Sequence, residues 1–250
     1  MISSIVILGT INLYKNMKTI KTIIAILGCL SAPSIIFAQT YSLTVSYLAV
    51  DAGSDGILQD IAREYDDPDY GDKLDEGPGI SIEFRTAPID GLSLGLEYIH
   101  FDTEASKSGD ADLLDANNFN DYLGISSFEA GATAISEDYT AHTYMFNLVY
   151  DLEIGDKLAA YLSAGVGFSS INSGVSVKNP GINRSYDDSD TVFAYQLKAG
   201  LRYALNEAWS VQGGVRHLDL DDFDFSYGGI PFKGGNVDAN AFEFGVSYAY

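Results

Sequence analysis

Ala241-Phe-Glu-Phe-Gly-Val-Ser-Tyr-Ala-Tyr250 closes the chain, and along it large apolar side chains alternate with small or polar ones without a break. Phe242, Phe244, Val246, Tyr248 and Tyr250 share one face; Ala241, Glu243, Gly245, Ser247 and Ala249 share the other. A side-chain period of two defines a strand with two unlike faces. The pattern recurs near 41–50, 79–86, 92–101, 139–151, 158–170, 191–203 and 209–220, which with 240–250 predicts eight strands. Each is close to the length of about 9–11 residues that a tilted strand needs to cross a bilayer.

The connections set the architecture. Those after strands two, four and six are tight: Ala87–Gly91, Leu152–Lys157 and Ala204–Ala208. Those after strands one, three, five and seven are long, near 51–78, 102–138, 171–190 and 221–239. Short turns at one rim and long loops at the other predict an all-β fold, an eight-stranded antiparallel up-and-down transmembrane β-barrel. A soluble eight-stranded barrel would turn its apolar face inward and solvate the other. Here the second face is mostly Ser, Gly, Ala and Thr, and the first carries Tyr and Phe at strand ends, as membrane girdles do.

The start of the chain reads as a targeting segment. Met17-Lys-Thr-Ile-Lys21 is a basic opening, Thr22–Leu30 an apolar run, and Ser34–Ala38 leads to a small residue before Gln39. The expected division is therefore a signal peptide over 1–38, with the true start at Met17, and a barrel domain over 39–250. The single cysteine, Cys29, lies in that leader, so the mature chain has neither a disulfide framework nor a thiolate metal site. Ile26-Leu-Gly-Cys29 is a poor lipoprotein box, because Leu27 is large for its position.

Removing Lys15, Lys18 and Lys21 with the leader reduces the 14 basic residues to 11 against 35 acids, a net charge of −24. Such a surface repels nucleic acid, which is excluded as a partner.

Phe193-Ala-Tyr-Gln-Leu-Lys-Ala-Gly-Leu-Arg-Tyr-Ala-Leu-Asn-Glu-Ala-Trp-Ser-Val-Gln-Gly-Gly-Val-Arg-His-Leu-Asp-Leu220 resembles the sixth and seventh strands of small outer-membrane barrels of the opacity-protein and surface-antigen group (porin family, OmpA-like β-barrel). Tyr161-Leu-Ser-Ala-Gly-Val-Gly-Phe168 is similar to their fifth strand. The chain departs from the group at its end, where Tyr250 stands in place of the usual Phe. The resemblance implies a bacterial outer-membrane location reached through a cleaved signal peptide. It implies no single activity, since adhesins, passive anchors and narrow pores all occur in the group.

Following the alternation, Glu83, Arg85, Glu97, Lys198, Arg202, Arg216 and Glu243 point into the lumen. Three acids and four bases in so narrow a space require partners, because a desolvated lone charge is very costly. They read as an ion-pair network that plugs the barrel, with an ion path lined by the same groups as the alternative. The first long loop is acidic, and Asp66-Asp-Pro-Asp-Tyr-Gly-Asp72 offers hard oxygen ligands, but without the spacing of an EF-hand. It reads as a solvated loop.

Ile57–Glu64 and Leu113–Leu123 carry helical spacing within the loops. His100, His142 and His217 are the candidates for catalysis, and none has the surroundings of a lipid A deacylase. No cofactor fingerprint or His/Cys metal spacing is present in the sequence, so no metal or cofactor is expected. The expectation is a non-enzymatic, surface-exposed structural or adhesin-like protein. It would be a monomer among outer-membrane lipid and lipopolysaccharide, its acidic loops meeting a host or envelope ligand. A narrow porin-like channel is the alternative, and a lipid A-modifying enzyme the third reading.

Overall fold

Backbone amides and carbonyls find no partner in hydrocarbon, so a sheet that enters a membrane must close on itself. The computed structural model, which describes residues 41–54, 77–110, 132–179, 182–227, 230–233 and 236–250, shows such closure. Its strands are β1 (Ser42–Ser54), β2 (Gly77–Arg85), β3 (Leu92–Asp110), β4 (Ala132–Glu153) and β5 (Leu158–Asn179). They continue as β6 (Ile182–Ala204), β7 (Trp209–Leu220), β8 (Asp224–Tyr227), β9 (Ile230–Lys233) and β10 (Val237–Ala249).

The barrel order is β1-β10-β7-β6-β5-β4-β3-β2, every ladder antiparallel, and β8 and β9 pair as a separate hairpin. Closure is made by β1 against β10, in register from Ser42↔Ala249 to Ser54↔Val237. The leader 1–38, the acidic loop from Asp55 to Glu76 and the helical spacings at Ile57–Glu64 and Leu113–Leu123 lie outside the described residues.

The faces are those of a membrane barrel. Phe242, Tyr144, Phe168 and Phe244 are more than half exposed on the outer wall, while Thr143, Ser169 and Asn147 are fully buried on the inner one. Tyr98, Tyr144, Phe168 and Phe193 are successive cross-strand partners and form an aromatic row over β3 to β6. At the other rim Trp209 packs on Tyr248 and Tyr41 stacks on Phe84. Between β2 and β3 the chain reverses through Asp90 and Gly91, both at positive φ, the conformation that a two-residue hairpin turn requires. A side chain at Gly91 would strike the Asp151 carbonyl.

Three of the expected connections differ. The described residues of 171–190 form no long loop: β5 and β6 stay paired from Ile171↔Asp190 to Asn179↔Ile182. Ile171, Ser173 and Val175 continue the inward row, but above the bilayer the outward residues are Asn172, Gly174 and Ser176, so the large apolar outer face that marks a membrane strand is lost. Likewise β3 and β4 extend to Asp110↔Ala132, and the last connection contains the β8–β9 hairpin. At about 3.3 Å per residue, β4, β5 and β6 are far longer than a bilayer crossing needs, so roughly half of each stands outside it.

That projecting wall carries an acidic row. Glu104 faces Asp138, and Asp138 and Asp187 flank Gly174, over which the Asp138 carboxylate lies. Partial desolvation, followed by repulsion from Asp187, Glu104 and Asp102, holds the Asp138 carboxyl above the usual carboxylate range. A carboxyl whose proton is held more tightly in the folded state costs stability when ionised, and that cost vanishes as pH falls through its folded pKa. Asp138→Asn is therefore expected to raise stability at neutral pH and to reduce the gain seen on acidifying toward about pH 4. Urea unfolding in lipid vesicles at both pH values measures it.

Candidate functional site

An eight-stranded barrel has room inside for side chains and little else. The lumen charges therefore take partners from one another, within a strand, between neighbours and across the barrel. Glu83 on β2 and Glu97 on β3 are direct cross-strand neighbours, an arrangement that repels unless a cation intervenes. Lys198 of β6 supplies it, its Nζ 3.2 Å from Glu83 Oε1 and 3.0 Å from Glu97 Oε2. Arg216 of β7 donates from Nη2 to Glu97 Oε1 at 2.6 Å and to Glu243 Oε2 on β10. Arg85 donates to Glu83 Oε2 at 3.0 Å, and Arg202 donates to both oxygens of Asp151 at 2.9 and 3.0 Å.

Amide side chains complete the links. Asn147 donates to Glu83 and Glu97, each at 2.8 Å, and Gln196 donates to Glu97 at 2.8 Å. Gln212 donates to Glu243 at 2.7 Å and accepts from Arg202 at 3.4 Å. All seven residues read from the sequence thus face the interior, and the structure joins six of them, with Arg202 reached through Asp151 and Gln212.

Alternation alone overlooked Asp151, Asn147, Gln196, Gln212 and Tyr161. Asp151 has the right parity, two residues beyond the inward Val149, but as the last residue of the expected strand 139–151 it stands at the rim, where a carboxylate can equally meet solvent. With it the described lumen holds four acids (Glu83, Glu97, Asp151, Glu243) and four bases (Arg85, Lys198, Arg202, Arg216). The set is electrically balanced.

Missing side chains make room for the network. Tyr161 leans from β5 across β6 and β7, and its OH donates to Glu243 at 3.4 Å. A Cβ at Gly200 or Gly214 would lie 2.6 or 2.5 Å from that oxygen. The Arg85 and Arg202 guanidiniums stand over the Tyr161 ring at 5.9 and 5.6 Å, a cation–π arrangement. At the short-turn end Arg85, Asp151 and Arg202 border a recess of about 190 Å³.

Above the charges the filling becomes apolar. Phe101, Ile171, Leu218 and Leu220 are buried there, and Tyr139 packs against Phe223 and Phe225 from the last connection. The β8–β9 hairpin is tied to the wall by its backbone: Asp224 N–H donates to Asp190 and Ser226 N–H to Asp188.

The three histidines lie elsewhere, on the outer wall, His100 and His142 beside the aromatic row and His217 on β7. His100 and His142 are cross-strand partners with rings 4.8 Å apart, and His142 Nδ1 pairs with the Tyr98 hydroxyl at 2.8 Å. His217 Nδ1 pairs with Asn240 Oδ1 at 3.1 Å.

Removing one member of a buried ion pair costs more than the pair contributes, because the other is left charged and desolvated. Lys198→Met is expected to destabilise the barrel by about 3–5 kcal/mol. Glu83→Gln combined with Lys198→Met restores neutrality and should recover most of the loss. Urea unfolding in vesicles, followed by the fluorescence of the single tryptophan, Trp209, gives both values.

Comparison with known proteins agrees with this architecture. The chain is 26% identical over 106 residues to Protein opa of Haemophilus influenzae, a match covering 39% of this chain and 84% of that one. The outer membrane protease OmpT of Escherichia coli shares the fold with a TM-score of 0.51 at 8% identity, over 88% of this chain and 99% of that one. Neisserial surface protein A aligns with a TM-score of 0.48 at 13% identity, over 84% and 97%. The family described as outer membrane protein beta-barrel domain matches residues 27–249. With that match over most of its length, the chain belongs to this family, the β-barrels of the outer membrane.

Proposed function

We propose that this protein is a non-enzymatic, surface-exposed structural or adhesin-like barrel whose lumen is closed and whose projecting wall and loops meet a host or envelope ligand. The observation that carries the reading is the lumen filling. Glu83, Arg85, Glu97, Lys198, Arg216 and Glu243 are each at most 5% exposed and form one linked set of ion pairs. A path for ions needs groups that bind weakly enough to release them. Here each charge already has a fixed opposite charge beside it, and an apolar layer lies above them.

With the interior occupied, the surface is what remains for function. β3 to β6 carry a wall beyond the membrane that a simple scaffold does not require, and its outward row is acidic. The net charge of −21 favours a basic ligand and an attachment that weakens with salt. In the membrane the protein acts as a monomer among lipid and lipopolysaccharide, since closure of β1 on β10 leaves no strand of the barrel unpaired. The histidines of the outer wall are paired with Tyr98, Asn240 and Asp102, which suits interfacial side chains better than a general base.

Two measurements test the proposal. In planar bilayers the inserted protein is expected to show no discrete conductance steps; charge-selective steps would replace the closed scaffold by the narrow channel. Cells displaying the full chain are expected to attach to an immobilised matrix extract, less so at high salt. Excision of 173–188 should remove attachment while the barrel still inserts. Attachment that survives the excision unchanged sinks the role of this wall.

A further inference from the structure

We propose that His217, Asp219 and Asp238 form a binding site for a transition-metal dication of the zinc class on the outer wall of the barrel. The residues come from two strands. His217 and Asp219 are two apart on β7 and share its outward face, and Asp238 is the direct cross-strand partner of Asp219 on β10. One ligand atom from each lies within 4.8 Å of the others. Zinc bonds of about 2.0–2.2 Å place neighbouring ligand atoms roughly 3.3–3.6 Å apart, so side-chain movement of about 1 Å closes the set.

Two features beyond the cluster point to a cation. Asn240 Oδ1 accepts from His217 Nδ1 at 3.1 Å, which fixes the ring and leaves Nε2 as the basic nitrogen. The Tyr195 hydroxyl donates to Asp219 Oδ2 at 2.7 Å and so holds that carboxylate from the third strand. Both are the outer contacts by which proteins orient metal ligands. The pairing of Asp219 with Asp238 otherwise sets like charges opposite each other, which a sheet disfavours. One imidazole with two carboxylates selects zinc-like ions over calcium or magnesium, which take oxygen ligands alone. The site stands at the edge of the lipid-facing band, the next outward residues being Val215 on β7 and Phe242 on β10.

The test is calorimetric titration of Zn²⁺ alone into the barrel purified from membranes in detergent, with millimolar Mg²⁺ present to occupy all-oxygen sites. One Zn²⁺ per barrel is expected. His217→Ala and Asp238→Asn should each weaken it by about tenfold or more, Asn240→Ala by less, and His142→Ala not at all. Folding of each variant is checked by its heat-dependent gel mobility. Asp238→Asn, at an exposed position, keeps the test open should His217→Ala not fold. Absence of binding, or binding that both variants retain unchanged, overturns the proposal.

Discussion

Hydrocarbon offers no partner to an unpaired amide, and the remaining structure follows from that requirement. It is met by the ladder between β1 and β10, thirteen registered pairs from Ser42↔Ala249 to Ser54↔Val237, which join the two ends of the described chain. Once that ladder closes, eight strands enclose a space filled by side chains, and the inward charges must find their partners among one another. The lumen network is the consequence of closure rather than an addition to it. Opening the barrel would expose at once a row of backbone groups to lipid and a set of charges to separation.

The network shows how like charges are brought together without penalty. Glu83 and Glu97 oppose each other, as do Lys198 and Arg216 on the far wall. Each pair alone is unfavourable; facing each other across the lumen they neutralise. Buried ion pairs are weak sources of stability compared with a packed apolar core. Their stronger effect here is on register, because a one-residue slip of any strand would carry its charges to the lipid face. Tyr161 adds a constraint of shape, since it lies only where Gly200 and Gly214 leave space.

Much of this was legible in the residues. The aromatic alternation of Ala241–Tyr250 and its recurrences identified all eight barrel strands, since a membrane strand has one lipid face and one crowded face. Parity also put all seven charged residues inside. It fails where contrast between the faces is lost: above the bilayer, 171–179 and 182–190 lack the aromatic outer face and read as a loop although they continue the β5–β6 ladder. It also passed over Asp151, a lumen acid at the rim of β4, which the arginines of β2 and β6 require.

Fold class, membrane environment and the side of the wall each residue faces follow from the residues alone, because those depend on a local period of two. Partner choice was decided only by the tertiary structure. Nothing in the chain states that Lys198 lies between Glu83 and Glu97, residues separated from it by 115 and 101 positions. Nor does it state that His217 and Asp219 meet Asp238. Those meetings depend on strand order, stagger and closure of the whole barrel, and a spacing rule along one strand cannot encode them.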